Sequence, residues 1–79
     1  MTKYRDRLMT IDTDTASVVG CGLDRLERSV SDIEIEKAID FYTKYKAEIN
    51  YFPINGRRQA ICDYIEKGEI PLYIANKLL

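Results

Sequence analysis

The chain predicts an all-α fold, a compact bundle of three to four short helices, and three observations carry that expectation. Apolar residues between Ser31 and Asn50 recur at helical spacing. At about 100° per residue, Ala38, Ile39, Tyr42, Tyr45 and Ile49 share a side with Ile35, while Glu36, Lys37, Asp40, Thr43, Lys44 and Glu48 fall opposite. Ser31 is followed three residues later by Glu34, the form of a capping box that satisfies two orphan amides in a first helical turn. Finally, Pro53, Gly56, Gly68 and Pro71 interrupt the second half of the chain where one helical stretch should give way to the next.

Val, Ile, Leu and Phe make up 21 of the 79 residues. That is roughly a quarter, above the ~20 % below which chains tend to be disordered. Residues 1–79 are therefore expected to form a single helical domain. Its length is near the lower limit at which one core suffices, so a partner or self-association can supply part of the stability.

Taken in order, residues 1–11 place Tyr4, Leu8 and Ile11 at spacings of four and three, as in a short amphipathic helix. The competing reading pairs residues 8–12 with residues 17–19 in a β-hairpin around Thr13 to Thr15, because Thr10, Ile11, Val18 and Val19 all favour strands. From Asp14 the spacing is helical again: Val19, Leu23, Leu26 and Val30 follow one another, with Thr13 or Asp14 as the cap. Gly20 and Gly22 each cost about 1 kcal/mol relative to alanine inside a helix, so a helix that keeps both should gain close approach of another backbone. The alternative is a helix that begins only at Leu23.

Val30 and Ser31 lead into the central helix through a tight break, which favours antiparallel packing of the two. After Ile49, Tyr51 and Phe52 should fold back over the core, and Pro53 and Gly56 read as a loop. A third helix is expected over residues 57–67, with Ala60, Ile61, Tyr64 and Ile65 buried and Gly68 ending it. Pro71 fits the first position of a fourth, short helix whose inner side is Leu72, Ala75 and Leu79.

The formal net charge is −1, which gives no global field to draw the chain onto nucleic acid or an anionic membrane. Cys21 and Cys62 stand alone, with no CxxC pair and no histidine to complete a zinc site. They read as reduced thiols of a cytoplasmic protein, and no apolar run has the length of a signal segment or membrane span. Neither a metal nor a cofactor is expected. Without histidine the usual general base near neutral pH is missing, so an enzyme is the least supported class.

Two candidate surfaces remain. If Leu72, Ala75 and Leu79 face inward, the fourth helix shows Tyr73, Ile74, Lys77 and Leu78 to the outside, with Ile70 beside them. Such an apolar and aromatic patch fits docking onto another protein, as a regulator or inhibitor would, or a homo-oligomer. The alternative is an anion site for a nucleotide or nucleic acid. Gly56, Arg57 and Arg58 would open the third helix, where free amides and two guanidinium groups favour phosphate, with Tyr51 and Phe52 as a stacking surface. Residues 57–79 have a helix-turn-helix layout, but Lys77 is the only basic side chain on the outward side of the last helix, a poor reader of base edges.

Overall fold

A computed structural model describes residues 3–78, with side chains from Asp6 onward. Among the described residues there are five helices and no strand: α1 (Lys3–Leu8), α2 (Thr13–Asp24), α3 (Asp32–Ile49), α4 (Ile54–Lys67) and α5 (Leu72–Leu78). The all-α bundle is the observed architecture, with one more helix than the expected upper count. The side chain of Tyr4 and the whole of Leu79, both expected in the core, lie outside the described residues.

The hairpin alternative is overturned by a helix cap. Asp12 accepts from the Thr15 amide at 3.0 Å and from the Thr15 hydroxyl at 2.8 Å, which starts α2 where the hairpin turn would lie. Those two bonds hold the Asp12 carboxyl below its ordinary range. The strand-favouring Val18 and Val19 are then buried on a helix, where burial outweighs propensity.

At its far end α2 stops at Asp24 instead of reaching Val30. The Arg25 amide bonds to both the Cys21 and the Gly22 carbonyls, and Glu27 takes a left-handed backbone with φ of 54°. Leu26 and Val30 still lie half-buried against the core, but from a connection and not from a helix face.

The capping box of α3 forms as expected. Ser31 Oγ accepts from the Glu34 amide at 3.2 Å, and Glu34 Oε1 accepts from the Ser31 amide at 2.9 Å. Arg28 donates to the same carboxylate at 2.7 Å. Lys46 of α3 reaches Asp12 at 3.4 Å and Asp14 at 3.7 Å, so the start of α2 lies beside the later half of α3, as in an antiparallel pair.

α3 is covered by each of the other four helices, so it buries more than the one stripe its periodicity gives. Phe41, off that stripe, is buried and stacks on Tyr64 of α4 with ring centroids 4.3 Å apart. Tyr45 leaves helical geometry (φ −110°, ψ 21°), which bends α3 before Ile49, itself fully buried.

α4 is the other wall of the core. Ala60, Ile61 and Cys62 are buried on it, and Gly68 closes it with φ of 71°. Its contact with α2 runs through Gly22. A Cβ there would sit 2.6 Å from Ile61 Cβ and 3.2 Å from the Arg58 carbonyl, so only glycine lets the two helices approach this closely. Cys62 Sγ donates to the Gly22 carbonyl at 2.9 Å across the same contact. Burial pushes the Cys62 thiol up, keeping it protonated for that bond.

Candidate protein-interaction surface

The α3–α4 turn, next to the candidate anion residues, packs against α5, which carries the candidate docking residues. Their packing starts at Arg57. α4 begins at Ile54, three residues earlier than expected, with Pro53 as its N-cap at φ −56°. Asn55 and Gly56, a turn signal in isolation, are therefore helical, and Arg57 lies in the second turn. Its Nε donates to the Phe52 carbonyl at 2.9 Å and its Nη2 to the Asn50 carbonyl at 3.0 Å. Both acceptors are carbonyls at or just past the end of α3, which lack partners within that helix. Two nitrogens of Arg57, expected to favour an anion over the free amides of a helix start, are thus engaged by the end of α3.

Arg58 shows no such bond at its Nε, which is buried with no hydrogen-bond partner among the described residues, and its carbonyl lies near Gly22. Tyr51 and Phe52, expected as a joint stacking surface, part company. Phe52 packs against the core with its ring edge-on to Tyr73, centroids 4.7 Å apart at 76°. Tyr51 is 76 % exposed, which corrects the expectation that it folds over the core. Gly56 accepts through its carbonyl from the Tyr73 hydroxyl at 2.7 Å.

That bond fixes the orientation of α5. Tyr73 is half-buried, with its ring on Phe52 and its hydroxyl on Gly56. Burial, with Asp63 adding to it, raises the Tyr73 phenol above its ordinary value, so it remains a donor at neutral pH. With Tyr73 so placed, Ile74 points straight into the core at 0 % exposure, and Pro71 and Ile70 pack on the same side. Leu72, expected inside, is 76 % exposed. Leu72 and Ile74 thus exchange places relative to the sequence expectation: Ile74 is core, Tyr73, Ile70 and Ala75 are half-buried, and Lys77 and Leu78 remain outside.

Two apolar stripes compete at this segment, one through Leu72 and Ala75 of α5, the other through Ile74 of α5 and Ile70 just before it. The second wins because it brings Tyr73 to a ring and a carbonyl acceptor. Tyr73 and Gly56 are partners that spacing along the chain could not pair. Exposed Ile54 was also missed, since the helix was expected to start after it; Pro53 at the N-cap was the available signal.

The outer side here includes Tyr51 and Pro53 from the turn, Ile54 from the start of α4, and Lys77 and Leu78 from α5, all exposed. Lys77 Nζ lies 4.7 Å from the centre of the Tyr51 ring, which ties the two segments into one surface. No group of three or more His, Cys, Asp or Glu side chains among the described residues could hold a metal ion. Likewise, no described helix is long and apolar enough to cross a membrane. Compared with protein-family models, with curated proteins and with solved structures, the chain matches none.

Proposed function

We propose that this protein is a small non-catalytic interaction module that docks onto another protein, in the manner of a regulator or inhibitor, through the surface of Tyr51, Ile54, Lys77 and Leu78. The observation that carries this reading is Tyr51, a ring left 76 % exposed with the Lys77 ammonium 4.7 Å from its centre, on segments that also expose Ile54 and Leu78. A large, rigid ring with a polar tip gives up little conformational freedom on docking, and a neighbouring cation adds orientation. The arrangement is also held from below, because Phe52, Tyr73 and Arg57 fix the backbone that presents it.

The nucleotide or nucleic-acid reading rests on Arg57 and Arg58 acting together at a helix start, and Arg57 is committed to the end of α3. Protein docking is the reading we retain. Affinity capture from lysate, with nuclease present, should retain a protein near-stoichiometrically on the wild-type chain. Tyr51→Asp with Leu78→Asp should lose that protein while the circular dichroism spectrum and melting curve stay unchanged. Retention by the folded double variant would place docking elsewhere, and capture abolished by nuclease would restore the nucleic-acid reading.

A further inference from the structure

Charge is unevenly placed along this chain. All 13 acidic residues fall within residues 1–48 and 63–69. Residues 49–62 and 70–79, which supply Tyr51, Ile54, Lys77 and Leu78, hold Arg57, Arg58 and Lys77 but no Asp or Glu. The net charge of −1 conceals this division, because acidic residues outnumber basic ones in the rest of the chain.

The fold leaves those cations uncompensated. Among the described residues, no carboxylate lies within ion-pair distance of Arg57, Arg58 or Lys77, whereas Arg7, Arg28 and Lys46 each have one. Arg57 donates to two carbonyls, which accept its hydrogen bonds without cancelling its charge. Those carbonyls belong to Asn50 and Phe52, the neighbours of Tyr51 on either side. Lys77 Nζ is 4.7 Å from the centre of the Tyr51 ring, well inside the roughly 8 Å screening length of physiological salt. Tyr51 therefore has two positive charges beside it, one at its backbone and one near its ring. Glu48, exposed near the end of α3, is one negative charge against these two. Asp63 and Glu69 lie with Leu72 at the opposite end of α5 from Lys77, and they share that hollow with Lys67.

We infer that the partner presents an acidic, apolar peptide segment to this surface, with a carboxylate on Lys77 and apolar side chains over Tyr51, Ile54 and Leu78. This inference rests on the docking reading of the same surface and adds the chemistry of what docks there. Opposite charge steers the encounter and fixes the register, while the Tyr51 ring supplies contact area. A nucleic acid would call for several free cations along a row of phosphates, and Arg57 already gives two nitrogens to the end of α3. Exposed Ile54 and Leu78 offer nothing to a phosphate but match the apolar residues of a peptide.

Random phage-displayed peptides of about 12 residues, panned on the full chain, test the inference. In extended form, at about 3.3 Å per residue, they are long enough to cross the surface. Enriched sequences should place Asp or Glu beside aromatic or branched apolar residues. Titrated as synthetic peptides by fluorescence anisotropy, they should bind Lys77→Arg like the wild type and Lys77→Glu at least about tenfold more weakly. Raising sodium chloride from about 50 to 500 mM should weaken wild-type binding several-fold. Lys77 is exposed, so both variants should keep the wild-type circular dichroism spectrum. Peptides that need Tyr51 and Leu78, judged by loss on Tyr51→Ala with Leu78→Ala, but lack acidic residues and ignore Lys77→Glu overturn the inference and leave the docking surface in place. Acidic peptides indifferent to that alanine pair overturn the inference and count equally against the docking surface. A selection without enrichment overturns the inference alone, as does a single-stranded oligonucleotide of about 12 nucleotides that binds through Lys77 more tightly than every peptide.

Discussion

α4 and the turn that leads into it make two very different contacts, and the contrast between them separates what holds this molecule together from what it presents. Against α2, the contact is made by a missing side chain: the Gly22 backbone lies directly on Ile61, and Cys62 donates to the Gly22 carbonyl. Against α5, the contact is made by large side chains with polar tips, with Tyr73 on Phe52 and Gly56, and Lys77 over Tyr51. The first has no room for an added atom. The second leaves Tyr51, Ile54, Leu72 and Leu78 exposed around a single fully buried anchor, Ile74. Close backbone packing gives stability without surface chemistry, whereas ring packing around one anchor leaves side chains available to a partner.

The largest effect should come from filling the α2–α4 contact. Gly22→Val places its branched carbons where Ile61 Cβ already sits, and overpacking of this kind costs typically about 1–3 kcal/mol. For a domain this small, whose total stability is of the order of 5 kcal/mol, the urea midpoint should fall by a large fraction. An unchanged midpoint would mean that α2 can slide off α4 without loss, removing one side of the contrast.

A smaller effect is expected at α5, where its two sides can be compared directly. Ile74→Ala should cost about 2 kcal/mol, at the low end for a buried isoleucine because a short helix can relax around the gap. Leu72→Ala should change stability by no more than about 0.5 kcal/mol. Thermal melts of the two variants side by side would settle the orientation; the reverse order of losses would restore the Leu72–Ala75 inner side.

The smallest effect lies away from both contacts, at the start of α3, and serves as a reference for them. Arg28 and the Ser31 amide hold the Glu34 carboxyl down to about 2, from an ordinary 4.5. A carboxyl depressed on folding stabilises the fold above its unfolded value, and that contribution is lost as pH falls from 4.5 toward 2. Glu34→Gln keeps an acceptor for the Ser31 amide but carries no charge, so its acid melting curve should be flatter than the wild type's over that window. Because the ion pair with Arg28 is largely exposed, the difference should amount to a few tenths of a kcal/mol. Coincident acid curves for the two proteins would show that the charge contributes nothing to the cap.

Legibility in the sequence followed the same division. The capping box at Ser31 and Glu34, the Gly68 stop and the close approach at Gly22 were all readable, because each depends on local backbone rules. What could not be read depended on partners distant in the chain. Phe41 is buried because α4 covers a second side of α3, and α5 turns inward on Ile74 because Tyr73 finds Gly56. Arg57 could not be assigned from its neighbours, since the carbonyls it caps become acceptors only once α3 ends beside it. At the candidate surface, Lys77 and Leu78 remain outside as expected, while Tyr73 and Ile74 exchange places with Leu72.

The Gly22 contact also bears on the order of assembly. α3 and α4 are joined by a four-residue turn, so bringing them together closes a short loop. The bond from Cys62 to Gly22 spans 40 residues and closes a much longer one, at a greater entropic cost. The contact between α2 and α4 is thus the one to be completed after the short connections, from α2 to α3 and from α3 to α4, have closed. Contacts completed late in folding govern how fast the native state is left more than how fast it is reached. A single missing methyl on α2 therefore acts as a latch, setting how long the folded molecule persists once it has formed.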